Sequence, residues 1–131
     1  YGRPSALIYF DLNGLKDIND KHGHAAGDAA LIQVGQILLD NTREVDVLAR
    51  LGGDEYGVIL SETDGQQARE KADMLAEAIR RRPLHWEGKV LPLDAAYGVY
   101  PLKPGEDPGT ALAAADQMMY SHKLARRAGR A

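Results

Sequence analysis

Val45-Asp46-Val47-Leu48-Ala49-Arg50-Leu51, then Gly52-Gly53-Asp54-Glu55, then Tyr56-Gly57-Val58-Ile59-Leu60 is the stretch on which the fold turns. Two runs of β-branched or apolar residues flank a glycine-rich turn, the pattern of a β-hairpin. The hairpin predicts antiparallel pairing and sets two adjacent carboxylates, Asp54 and Glu55, at its tip. Glycines at such a tip permit positive φ and let the backbone come close to a ligand. By residue type alone, the tip is either a solvated acidic turn or a place where hard carboxylate oxygens meet Mg²⁺ and phosphate.

Working outward, Ala6-Leu7-Ile8-Tyr9-Phe10 reads as a buried strand that ends in a carboxylate, Asp11. A short helix is predicted over Leu15 to Lys21 and a longer one over Ala25 to Asp40, with Leu31, Val34 and Leu38 at helical spacing toward the core. Beyond the hairpin, Gly65 to Arg82 carries an apolar stripe at Ala68, Ala72, Leu75, Ala76 and Ile79, and Pro83 ends it. Val90 to Tyr100 is expected to return as strand despite Pro92. A last helix, about Pro108 to Ala125, has Leu112, Ala115 and Met119 on one face and Asp116, Tyr120, Lys123 and Arg127 on another. The order β-α-α-β-β-α-β-α predicts an α+β domain, helices flanking a mainly antiparallel, palm-like sheet.

At 131 residues, 44% hydrophobic and 27% charged, the chain suits one domain over 1–131. The formal net charge of -3 argues against a nucleic-acid coat, which needs a basic excess, and leaves room for a local phosphate site. No cysteine is present, so disulfides, thiolate zinc sites and thiol nucleophiles are excluded, and a cytoplasmic location is expected. No apolar run approaches the roughly 20 residues of a membrane helix, so no membrane contact is expected within this segment. A start at Tyr1, almost directly into a strand, reads as a fragment of a longer multidomain protein, whose N-terminal region is the place for a sensory module or membrane anchor.

Gly52-Gly53-Asp54-Glu55-Tyr56 resembles the signature of the GGDEF domain of diguanylate cyclases, with Tyr in the last, aromatic position. Further matches follow the family's order: Asp11-Leu12-Asn13-Gly14-Leu15-Lys16, Ile18-Asn19-Asp20, Gly23-His24, Gly27-Asp28, and at the far end Ala115-Asp116, Tyr120, Lys123 and Arg127. The resemblance spans about Leu7 to Arg127. It implies condensation of two GTP into cyclic di-GMP by a homodimer whose domains each hold one GTP. Asp11, Asp54 and Glu55, helped by the Leu12 carbonyl, would hold two divalent ions (Mg²⁺ or Mn²⁺) per GTP. Asp54 and Glu55 jointly take the catalytic role.

The resemblance further makes Asn19 and Asp28 the guanine readers, suited to the adjacent N1-H and N2-H donors and O6 acceptor of that base. Taken singly, they are equally a polar residue at a helix end and an acid near a helix start. Lys123 and Arg127, at i and i+4, face one side of a helix toward a triphosphate, with Lys16 as a third cation and the Gly53 backbone alongside. Alone, the first two read as a basic helix end that complements the dipole. His24 is read as structural, and Met118 and Met119 as core.

Arg43-Glu44-Val45-Asp46 lies five residues before Gly52, where the family's product-inhibition site begins. Arg43 and Asp46 would bind cyclic di-GMP there, the alternative being a surface ion pair. The second arginine often found in the following helix has no clear counterpart among Arg69, Lys71 and Met74, which points to weaker inhibition or a different partner. Two other functions stay open: a catalytically silent module that binds GTP or cyclic di-GMP, and another nucleotidyl transfer on the same palm-like sheet.

Overall fold

A computed structural model describes residues 4–103 together with 107, 109, 110, 113 and 117. In chain order the elements are β1 (Ser5–Asn13), α1 (Leu15–His22), α2 (His24–Asp40), β2 (Val47–Gly52), β3 (Glu55–Leu60), α3 (Gly65–Arg80), β4 (Leu84–Trp86), β5 (Lys89–Leu91) and β6 (Asp94–Leu102). Four strands make one antiparallel sheet in the order β2-β3-β1-β6, and β4 pairs with β5 in a separate ribbon. The result is an α+β, palm-like arrangement of helices on an antiparallel sheet.

β1 is an unbroken apolar run rather than an alternation because both of its faces are covered. Ala6, Ile8, Phe10 and Leu12 join the main core with Val34, Leu38, Leu75 and Ile79 from α2 and α3. Leu7 packs on the other face with Ile59 and Leu102, flanked by Tyr9 and Tyr100. Every residue of the stripe expected on α3 is buried, as are Leu31, Val34 and Leu38 on α2. α3 starts with a reciprocal cap: the Asp64 carboxylate accepts from Gln67 N-H, and the Gln67 side chain accepts from Asp64 N-H.

The structure differs from expectation in three places. Val90 to Tyr100 is not one strand. Pro92 has no N-H to give a ladder, and the chain divides there into β5 and β6. β5 turns back on β4, a strand the apolar pattern did not reveal, through Glu87 and Gly88, both at positive φ. Val45 also lies outside the hairpin strands, in the loop before β2.

Of the last helix, positions 109, 110, 113 and 117 are helical, and Asp107 accepts from both the N-H and the hydroxyl of Thr110 at its start. Leu112, Ala115, Asp116, Met118, Met119, Tyr120, Lys123 and Arg127 lie outside the described residues. Among the described residues, no helix is long and apolar enough to cross a membrane.

Candidate active site

The antiparallel register of β1 with β3 sets Asp11 directly opposite Glu55. Cross-strand neighbours share a face, so these two carboxylates lie side by side although they are far apart in the chain. Side chains alternate along β1, so while Phe10 and Leu12 join the helical core, Asp11 takes the other face. Asp11 is buried at 9% exposure, whereas Asp54 and Glu55 are half-buried. The strand end is tied to the turn by Leu12 N-H, which donates to the Asp54 carbonyl at 2.9 Å.

The two glycines of the turn work through space rather than through dihedral angle. Neither has positive φ, contrary to the conformational freedom expected of them. A Cβ on Gly52 would stand 3.2 Å from Glu55 Oε2, so the missing side chain gives that carboxylate its place. At Gly53 a Cβ would meet nothing within 4 Å, which leaves the backbone open to a ligand. Arg50 holds the turn from behind: Nε donates to the Gly52 carbonyl at 3.2 Å and Nη2 to the Gly53 carbonyl at 2.9 Å. Sequence reasoning passed over Arg50, though a cation two residues before a glycine pair is the signal that marks it.

Among the described residues, no group of three or more acidic or imidazole side chains forms a ready-made metal cage. Mg²⁺ bound beside phosphates needs only one or two carboxylates and keeps water or phosphate oxygens for the rest. Asp11 with Glu55, and Asp54 on the adjoining turn, fit that demand in donor chemistry and in number.

The second cluster is built by a helical corner. Gly14, at φ 75, starts α1, and Gly23, at φ 91 and ψ 164, joins α1 to α2 in a conformation that side chains other than glycine's rarely accept. The corner lays Asn19 against α2 at Gly27, the residue before Asp28. A Cβ on Gly27 would collide with the Asn19 amide oxygen. This explains a glycine inside a helix, where it otherwise destabilises. Asp28 itself is exposed, as are Lys16 on α1 and His24 at the start of α2. Gly27→Ala is expected to push the Asn19 amide aside with helix content unchanged by circular dichroism, and to weaken GTP binding if Asn19 reads the base. An unaltered affinity would show that Asn19 is not used.

Arg43 and Asp46 form a third cluster away from the turn. The Asp46 carboxylate accepts from Arg43 Nη2 at 3.0 Å, from Arg43 Nε at 3.2 Å, from Arg43 N-H at 2.9 Å and from Ser61 N-H at 3.4 Å. Arg43 Nη2 also donates to the Ser61 carbonyl at 2.7 Å. The Asp46 side chain has 0% exposure while that of Arg43 has 54%, so the guanidinium is the partner presented to solvent. Burial is the largest single influence on Asp46 and raises its pKa. The Arg43 side chain and backbone, the Arg43 charge and Ser61 N-H together outweigh burial and hold the carboxyl below its ordinary 3.8. Beside the pair lies a cavity of about 230 Å³ lined by Arg43, Asp46, Glu62, Thr63, Gln67 and Lys71. Lys71 is thus the α3 cation that faces this cavity, and neither Arg69 nor Met74 lines it.

The family profile described as "Diguanylate cyclase, GGDEF domain" matches residues 1–129. A curated relative named "Probable diguanylate cyclase DgcE", from Escherichia coli K12, is 42% identical over 94 residues, 72% of this chain and 8% of its own length. Diguanylate cyclase DgcP of Pseudomonas aeruginosa is 34% identical over 124 residues, 95% of this chain and 18% of its own. The chain therefore spans less than a fifth of each of these two relatives. Among solved structures, the GGDEF domain of TpbB (YfiN) from Pseudomonas aeruginosa superposes with TM-score 0.80 at 32% identity, covering 93% of this chain and 77% of that one. A sensory box/GGDEF family protein from Caulobacter crescentus gives 0.78 at 34%, covering 93% and 80%. With the acids of β1 and the β2–β3 turn in register, and this match over nearly its whole length, the chain belongs to the GGDEF domain family of diguanylate cyclases.

Proposed function

We propose that the domain is one catalytic half of a diguanylate cyclase that condenses two GTP into cyclic di-GMP, releasing pyrophosphate at each of two phosphodiester-forming steps. The observation that carries this reading is the register of Asp11 against Glu55, with Leu12 N-H bonded to the Asp54 carbonyl. It sets the strand-end acid opposite Glu55 and ties the end of β1 to the turn that carries Asp54 and the open backbone of Gly53. Divalent ions held by Asp11, Asp54 and Glu55 would lower the pKa of the attacking 3′-hydroxyl and neutralise charge on the α-phosphate and the departing pyrophosphate.

Each of the chain's own groups has a stated task. Asp54 or Glu55 accepts the proton of the 3′-hydroxyl as its oxygen bonds to the α-phosphorus. The Arg50 clamp on the Gly52 and Gly53 carbonyls fixes the turn, so that the acids keep their placement without rearrangement. Asn19, seated against Gly27, and Asp28 read the guanine edge, where a carboxylate accepts from the two donors that adenine lacks. Lys16, Lys123 and Arg127 supply the cations for the triphosphate. One domain offers one nucleotide site, so two copies must face each other before a 3′-hydroxyl meets an α-phosphate, and turnover depends on that pairing.

The Arg43 cavity is the regulatory part of the proposal. Cyclic di-GMP would stack on or be gripped by the exposed guanidinium, with Lys71 as the second cation and Asp46 as the group that holds Arg43 in place. Arg43→Ala is expected to raise the product concentration needed for half-inhibition by roughly tenfold. Initial turnover is expected to stay near wild type. Its acid profile is expected to change too. Because the folded-state pKa of Asp46 lies below 3.8, ionisation of this carboxyl stabilises the fold fully above that pH, and the contribution is lost as pH falls through the lower folded value. Arg43→Ala takes away the side-chain hydrogen bonds and the charge, leaving the two backbone N-H donors against burial, so the drop in melting temperature between pH 7 and pH 3 should be smaller in the variant.

The test of the main proposal is GTP turnover with Mg²⁺ across a range of protein concentrations, with the product identified. Cyclic di-GMP that grows more than linearly with concentration supports the dimeric cyclase. If a dimer forced by a fused coiled coil makes no product yet still binds GTP or cyclic di-GMP, the domain is instead a catalytically silent binding module.

A further inference from the structure

The Tyr56 hydroxyl donates to the Leu31 carbonyl of α2 at 2.6 Å, from a residue only 7% exposed. Leu31 sits one helical turn beyond Asp28, and Tyr56 directly follows Glu55 in β3. The ring rests on Gly35: a Cβ there would stand 3.1 Å from Tyr56 Oη and 3.4 Å from two ring carbons. A second glycine inside α2 is thereby explained as a notch that admits this ring. Tyr56 is also paired across the sheet with Phe10 on one side and Arg50 on the other, so its backbone is fixed within the sheet.

We propose that Tyr56 is a positioning residue that bolts the acid-bearing hairpin to helix α2 and so sets the distance between the purine-reading and phosphate-holding ends of the nucleotide site. The proposal rests on the nucleotide-site reading given above. An aromatic ring alone would fill the notch. Only the hydroxyl ties a strand of the sheet to a carbonyl of the helix, which in the α2 ladder already faces the Gly35 N-H. Such a bolt has a specific thermodynamic signature. A ligand that touches one end is indifferent to the spacing, whereas a ligand that spans both ends gains its joint affinity only when both are held at the right separation.

Tyr56→Phe keeps the ring and removes the bond. Calorimetric titration of wild type and variant with guanosine, with inorganic tripolyphosphate plus Mg²⁺, and with GTP plus Mg²⁺ separates the possibilities. The expected result is a GTP dissociation constant raised about fivefold, the value of one ordinary hydrogen bond. Guanosine and tripolyphosphate should each change by less than about twofold on the same basis. Gly35→Ala, which crowds the ring and hydroxyl from the helix side, should weaken binding in the same order among the three ligands. Equal weakening of all three ligands would overturn the proposal and leave Tyr56 a general stabiliser. GTP affinity equal in wild type and both variants would overturn it too, while the nucleotide site itself stands. A wild-type domain that binds neither guanosine nor GTP would remove the nucleotide-site reading and this proposal with it.

Discussion

Glu55→Gln is expected to lower turnover by about three orders of magnitude, in line with removal of a charge placed at the developing transition-state charge. The substitution is nearly isosteric, so the side chain should keep its place by Gly52, where an added Cβ would stand 3.2 Å from Oε2. What changes is the charge opposite Asp11. The variant should therefore keep its fold while losing its activity. Product formation and thermal unfolding on the same preparation test it. Undiminished turnover would remove the carboxylate assignment, and a large fall in melting temperature would recast Glu55 as a structural residue.

Asp28→Ser is expected to cost between about 5-fold and 150-fold in discrimination between GTP and ATP, the range for losing one bidentate base contact. The effect should lie in base choice rather than in turnover at saturation, because Asp28 sits on α2 while the acids sit at the β1 end and the β2–β3 turn. Asn19 remains to read part of the guanine edge, held by the notch at Gly27, so some preference should survive. Competition between the two nucleotides, analysed as a ratio of kcat/KM, measures this directly. A preference for GTP as strong as wild type's would place guanine recognition elsewhere.

Much of the architecture was legible in local pattern. The helical spacing of Ala68, Ala72, Leu75, Ala76 and Ile79 named the buried face of α3 in full. The apolar run before Asp11 announced a buried strand, and the glycine-rich break announced the β2–β3 hairpin. Periodicity reports on the face a segment presents, and these elements are long enough to express it. β4 and β5, at three residues each, are too short to carry a period. The division at Pro92 depends on which backbone donors the ladder requires, and that is settled by pairing rather than by composition.

For the candidate site the division follows the same logic. The chemical identity of Asp11, Asp54, Glu55, Asn19 and Asp28 is written in the chain, since only residue type and order are needed to propose it. The meeting of Asp11 with Glu55 requires a strand register, and a one-residue slip would turn one of them to the other face. The glycines show the difference most plainly. Sequence alone attributes a glycine to conformational freedom. Gly27, Gly35 and Gly52 instead make room for Asn19, Tyr56 and Glu55, side chains that reach them only after the elements have packed. In the same way, the family resemblance names Asp46 as a ligand-binding acid, and only the fold shows that its side chain is buried against Arg43. Local propensity is a property of a segment, whereas a notch, a bolt or a clamp exists only between segments, so these were decided when the sheet and helices came together.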